Sequence, residues 1–317
     1  MQVFRSVSDA HLPPAAITIG NFDGLHAGHE AMLAELKSAA SMHGLKTCVL
    51  TFEPHPREFF APASAPARLT SLREKLELLA AREIDYVVVQ RFDRKFSSLS
   101  ALDFRDQVLA QDLNARHVIV GDDFCFGAKR AGDFALLQAS PDFSTCSLAT
   151  VADGGLRISS TAVRNALAAG DMNLAAHYLN RPYSISGRVV NGDKIGRTLG
   201  FPTANIQIKH NHPPLFGIFV VEIHGLEKPY QGVASLGFRP TIHGGDLYPK
   251  LEAHLFDFNR QIYRQHLRVD FLHKLRDEEK YIDLPTLVAQ IEKDCIAAKE
   301  WFAVNKNASR HKDARNK

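Results

Sequence analysis

Nowhere in this chain do apolar residues run to the ~18 in succession that a membrane-spanning helix needs, so no membrane partner is expected. Cysteine is scarce: 4 occur in 317 residues, at positions 48, 125, 146 and 295, and none stands in a C-x-x-C pair. That leaves neither a zinc ribbon nor a disulfide framework to expect. Cys48, inside the apolar run TCVLTF, reads as a small core residue. The Walker pattern G-x-x-x-x-G-K-[ST] is absent, so any phosphate site has to be built another way. An excess of one charge is missing as well. The net charge is +3, part of it in the tail NKNASRHKDARNK, and this is too small to predict a nucleic-acid partner. The opening MQVFRSVSDAHLPP has neither the basic start nor the apolar stretch of a signal peptide. With the cysteine usage, this predicts a cytoplasmic location.

What is present divides the chain in two. The length suggests one large or two medium domains. In the first half, the Val/Ile-rich runs AITIG, KTCVLTF, YVVVQRF and HVIVGDDF alternate with amphipathic stretches. One of these, SLREKLELLAAREI, carries Leu72, Leu76 and Leu79 at helical spacing; another ends at Gly44, a C-cap position. Strands alternating with helices predict a doubly wound, Rossmann-like α/β domain with a parallel sheet. After GLRISSTAVRNALAAGDMNLAAHYLNRPY the texture changes to short β-prone runs separated by Gly, Pro, Asn and Asp. These predict a small antiparallel barrel or sandwich, closed by a helix over LPTLVAQIEKDCIAAKEWFAV. The boundary is placed near Arg181-Pro182, giving domains 1–181 and 182–305, with 306–317 a polar, disordered tail.

The first candidate site is GNFDGLHAGH, at the junction of an apolar run and a helical pattern. Gly20 and Gly24 permit a tight turn, and a helix N-terminus attracts an anion. His26 and His29, three apart, share one face of the first turn. Half a metal site is the competing reading, but no third ligand stands at zinc spacing. Phosphate binding is the stronger one. In RISSTAVR, Ser159 or Ser160 can cap a second helix, with Arg157 and Arg164 flanking the cap. Asp122 and Asp123 end a strand in Gly-Asp-Asp, as a turn or as a partner for magnesium or a ribose hydroxyl. In the second half, Thr203 and Asn205 of PTAN lie on one side of an extended stretch, and two neutral oxygens there suit a magnesium shell. Glu252 stands in the apolar run KLEAHLFDF, where a carboxylate needs a reason, although His254 shares its face.

In its FDG-x-H-x-GH form, the first stretch resembles the signature of the nucleotidylyltransferase superfamily. Within that superfamily it is similar to the N-terminal module of the bacterial bifunctional riboflavin kinase/FAD synthetase family. FEPHPREFF, ARLTSLREKLELL, GDDFCFG, RISSTAVR, GRTLGFPTANI, GVASLGFRPT, LEAHLFDFNRQIY and LRDEEKY agree in family order along nearly the whole chain. The resemblance implies a chain that phosphorylates riboflavin with ATP to FMN, then joins FMN and a second ATP to give FAD and pyrophosphate. It implies adenylyl transfer at His26 and His29. The associated ATP contacts would come from Gly20, Asn21, Asp23, Gly24, Gly28, Asp123, Arg157, Ser160, Thr161 and Arg164. It implies a kinase flap over ATP from Gly192, Lys194, Gly196 and Thr198, magnesium on Thr203 and Asn205, and Glu252 as general base. Riboflavin, FMN and ATP are the implied partners, with Mg2+ as cofactor. Cys125 stands where the family often has arginine, and Phe219 where it often has tyrosine. Other readings are a transferase acting on a different phosphate, a tRNA-binding relative of class I synthetases, and a non-catalytic flavin module. The Lys-Met-Ser-Lys-Ser loop of the synthetases is absent.

Overall fold

The computed structural model describes residues 1–192, 199–209, 212–240 and 247–315. Lys194, Gly196 and Thr198 of the expected flap lie outside the described residues. The chain divides into two units, Met1–Pro66 with Thr70–Ser160, and Ala67–Leu69 with Thr161–Lys317.

The first unit carries β1 (Gln2–Phe4), β2 (Ala15–Ile19), α1 (Ala27–His43), β3 (Lys46–Glu53), α2 (Pro56–Phe60), α3 (Leu72–Ala80) and β4 (Tyr86–Arg91). After the short helices α4 (Arg94–Ser97) and α5 (Ala101–Asp103) come β5 (Ala115–Gly121), α6 (Phe134–Gln138), β6 (Ser144–Leu148) and the hairpin β7 (Ala152–Asp153) and β8 (Leu156–Arg157). The six strands β1 to β6 form one parallel sheet in the order β1-β4-β3-β2-β5-β6. Apolar side chains leave both faces of it. Ile17, Ile19, Leu50 and Val118 pack on one side with Phe104 and Leu109, and Ala16, Val49 and Val87 on the other with Leu33 and Leu36 of α1. Continuous Val/Ile runs are what a sheet covered on both faces requires. Gly44 caps α1 at φ 63°, the left-handed conformation glycine adopts without penalty. From β2 the chain winds one way through β3 and β4, then crosses back to β5 on the other side. The carboxyl ends of β2 and β5 thus flank the switch point where such sheets bind ligands.

In the second unit, α7 (Ser160–Ala168) leads to α8 (Met172–Leu179), which packs on β9 (Tyr183–Val190) and β14 (His266–Arg276). The sequence boundary near Arg181-Pro182 follows this helix, whereas the contact division precedes it. β10 (Ala204–Gln207), β11 (Gly217–His224), β12 (Tyr230–Pro240) and β13 (Leu247–Leu255) complete a closed antiparallel barrel in the order β10-β13-β12-β11-β14-β9. Of the two antiparallel options the sequence left open, the barrel is the one formed. Closure leaves no edge strand, which suits runs as short as β10. The closing helix α9 (Leu284–Arg315) covers one outer face with Cys295, Ala298 and Phe302 against Val220 and Phe256, and extends into the segment read as a tail. Burial pushes the Cys295 thiol up to about 11 and that of Cys48 higher still, so neither supplies a thiolate. Among the described residues no helix is long and apolar enough to cross a membrane.

One ion pair fastens α9 to the barrel. The Arg276 guanidinium donates to both Asp294 carboxylate oxygens at 2.9 and 2.7 Å, and Gln290 Nε2 donates to the same carboxylate. Removing one partner of a buried pair strands the other charge. Asp294→Ala is therefore expected to destabilise the barrel by about 3–5 kcal/mol, read as a lower urea midpoint for loss of activity in this unit.

Candidate functional sites

The first site is a strained turn between β2 and α1. Phe22 and Leu25 sit at φ 48° and 46° and Gly24 at 82°. The ring of Phe22 is fully buried and lies 4.9 Å from that of His29, so apolar burial holds a backbone that phenylalanine otherwise avoids. The turn delivers His26 as the N-cap of α1, with no cap bond from its side chain, and His29 one turn in. The two rings stack at 3.8 Å between centroids. A Cβ on Gly28 would lie 3.2 Å from the His26 ring, so glycine lets that ring lie along the helix start. Asn21 Oδ1 is buried and accepts no hydrogen bond among the described residues.

The segment RISS meets this turn. Ser160 Oγ donates to Asp23 O at 2.9 Å, and the Ile158 carbonyl stands 3.6 Å from where a Gly28 Cβ would be. Arg157 pairs with Asp123 at 2.7 Å, both well exposed. Asp122 takes the turn role instead. Its carboxylate accepts from Thr150 N and Oγ1, and these hydrogen bonds hold it below the usual carboxylate range. The structure thus brings together Gly20, Asn21, Asp23, Gly24, His26, Gly28, His29 and Ser160, with Asp123 and Arg157 paired to each other. Asp23 turns inward: it is 4% exposed and its carboxylate accepts from Thr70. Thr161 and Arg164 belong to the second unit, where the Arg164 side chain donates to Ala67 O.

The sequence singled out no aromatic surface in this unit. The structure places one beyond the ends of β3 and β4. Phe60, 67% exposed, stands edge-on to Phe59 and Phe92 with centroids 5.2 and 5.6 Å away, and Phe92 continues to Phe52. Phe60 is the one large exposed aromatic among the described residues of the unit. The cue was the aromatic density of FEPHPREFF and RFDRKF.

The second site is built on barrel register. Asn205 of β10 and Glu252 of β13 are direct cross-strand partners, and Ser235 of β12 is the partner of Glu252 on its other side. Residues 250, 252 and 254 alternate with the buried Leu251, Ala253 and Leu255, so Glu252 looks away from the barrel core. Lys250 Nζ stands 3.3 Å from its carboxylate. His254, on the same face, has its Nδ1 2.8 Å from Pro202 O. The carbonyl can only accept, so the ring donates and ties β13 to PTAN. Gly192 lies where any Cβ would fall 2.3 Å from Asn205 Nδ2, so glycine is required for that approach. Beside Thr203 opens a cavity of about 480 Å³, lined also by Gly200, Pro202, Phe258 and Tyr263, within the range of small-ligand sites. Ser235 and Glu278 were missed by sequence reasoning: Ser235 Oγ donates to Glu278 Oε1 at 3.1 Å, and Glu278 lies over Gly237. LRDEEKY contains five charged residues in a row, and nothing local to it tells which of them returns to the barrel.

Two family models match separate stretches of the chain. The family model for FAD synthetase matches residues 8–162, and that for riboflavin kinase matches 179–302. The bifunctional riboflavin kinase/FMN adenylyltransferase of Escherichia coli K12 is 45% identical over 315 residues, covering 97% of this chain and 100% of that protein. The protein of the same name from Haemophilus influenzae is 44% identical over 308 residues, with 95% and 99% covered. A solved structure described as a macrolide-efflux protein from Streptococcus pneumoniae matches with a TM-score of 0.79 and 28% identity, over 92% of this chain and 96% of that one. The chain belongs to the family of bifunctional riboflavin kinase/FMN adenylyltransferases.

Proposed function

We propose that the barrel unit phosphorylates riboflavin and that the parallel-sheet unit adenylylates the resulting FMN. One observation carries this reading: each unit holds its own constellation of anion-handling or proton-accepting residues, and a separate family model covers each. A transferase acting on a different phosphate would leave the Glu252–Asn205 face without a task.

In the barrel, the ribityl 5′-hydroxyl oxygen forms a bond to the γ-phosphorus of ATP, the bond from that phosphorus to the β–γ bridging oxygen breaks, and ADP leaves. The hydroxyl proton goes to the Glu252 carboxylate, which Lys250 holds in place. Magnesium is the family's implied cofactor, and the residues fit it. Asn205 Oδ1 is buried without a hydrogen-bond partner among the described residues, and Thr203 stands two positions before it, just ahead of β10. When bound, the ion would neutralise phosphate charge beside those two oxygens. The cavity beside Thr203 takes the nucleotide.

In the other unit, an FMN phosphate oxygen bonds to the α-phosphorus of ATP while the bond to pyrophosphate breaks. The attacking group is already an anion, so no base is needed, and positioning and charge stabilisation do the work. His26 and His29 at the start of α1 follow the leaving charge, together with the helix N-terminus. Arg157 leaves Asp123 to meet the triphosphate, and Asn21 Oδ1 accepts from a bound group. Phe60 stacks on the flavin ring: Phe60→Ala is expected to raise KM for FMN about 10-fold in FAD formation, with kinase turnover unchanged, by steady-state assay.

The reading is tested by incubating the purified protein with riboflavin, ATP and magnesium and separating products over time. FMN should appear first and FAD should follow; neither flavin nucleotide forming would sink it.

A further inference from the structure

Thr70 precedes α3 and has no part in the chemistry above, yet it is bonded to the catalytic turn through three contacts. Its backbone N–H donates to Asp23 Oδ1 at 3.0 Å, its hydroxyl donates to the same oxygen at 3.2 Å, and that hydroxyl accepts from Gly24 N at 3.1 Å. Thr70 is 5% exposed. The turn it grips contains the positive-φ residues Phe22, Gly24 and Leu25, which persist only where surrounding structure over-determines them. A second tie runs from the same helix: Lys75, also buried, donates to Thr51 Oγ1, which donates to Asn21 O. Thr70 is itself fixed, because it adjoins the Ser71–Glu74 capping box that starts α3. On the other side, Ser160 holds the Asp23 carbonyl. Hence the angle at which His26 and His29 leave the turn is set from α3.

We propose that Thr70 is a positioning residue for adenylyl transfer, its hydroxyl locking the Asp23–Gly24 peptide so that His26 and His29 face the reacting phosphates. Resting on the adenylyl-transfer reading of this site, the proposal concerns alignment and not affinity. Valine matches threonine in shape and lacks the hydroxyl, so Thr70→Val removes the lock without opening a cavity. Serine keeps the hydroxyl. FAD formation from supplied FMN and FMN formation from riboflavin are measured on the same preparations of wild type, Thr70→Val and Thr70→Ser. Thr70→Val should lower kcat for FAD formation about 10²-fold, the cost of a misplaced reacting group. Its KM for ATP should stay within about 3-fold of wild type, and Thr70→Ser should recover most of kcat. Kinase turnover should hold in both variants. A Thr70→Val enzyme with near wild-type kcat overturns the proposal. So does one that loses both activities together, since Thr70 would then be a folding residue only, and so does a serine variant as poor as the valine one. A wild-type protein that makes FMN but no FAD would remove the reading of the site itself, and Thr70's role with it.

Discussion

A Glu252→Gln variant is expected to form FMN about 10²–10⁴-fold more slowly than wild type, the range a positioned general base contributes, while converting supplied FMN to FAD at an undiminished rate. Glutamine keeps the shape and the neighbours. It still faces Asn205 on one side and Ser235 on the other, and only the proton-accepting charge is gone. The cross-strand pairing matters to the size of the effect. Asn205 and Glu252 sit directly opposite on adjacent strands, so the proposed metal ligand and the proposed base keep a fixed separation. Retained FAD formation shows that the other unit is intact, and circular dichroism and the urea midpoint show that the barrel itself still folds. FMN synthesis near the wild-type rate would acquit Glu252, and Glu278, a second carboxylate reaching this face through Ser235, would become the candidate base.

The sheet was legible wherever burial imposed a pattern. β2 to β5 are Val/Ile-rich because both faces are covered, and such runs announce themselves. β6, Ser144–Leu148, reads STCSL, since an outer strand with one neighbour is free to be polar, and β1 is three residues long; neither carries a periodic signal. Barrel and sandwich could not be separated from the sequence because closure depends on β9 meeting β14 and β10 meeting β13, pairings between segments far apart in the chain. The sites followed the same division. GNFDGLHAGH was readable because glycine, histidine and a strand–helix junction coincide within ten residues. The inward turn of Asp23 was not, because it depends on Thr70, 47 positions away, and sequence gives a carboxylate near a phosphate motif no direction. Ser235 and Glu278 likewise meet across 43 positions.

His29→Ala should show the opposite separation: FAD formation falls about 10²–10³-fold, as when one preorganised transition-state donor is lost, and FMN formation from riboflavin continues. Two features argue for an effect of that order and not a mere loss of packing. His29 stacks on His26, which caps the helix whose N-terminus attracts the same charge, so removing one ring also frees the other to rotate. And the backbone that presents both is held at Asp23 from outside the turn by Thr70 and Ser160, so the turn itself should survive the substitution. KM for ATP should move far less than kcat if the imidazole acts mainly as pyrophosphate departs, because an interaction formed only in the transition state leaves ground-state binding unchanged. If His29→Ala instead lost both activities equally while remaining folded by circular dichroism, the two reactions would not be running in independent sites. The division of labour between sheet and barrel would then have to be abandoned.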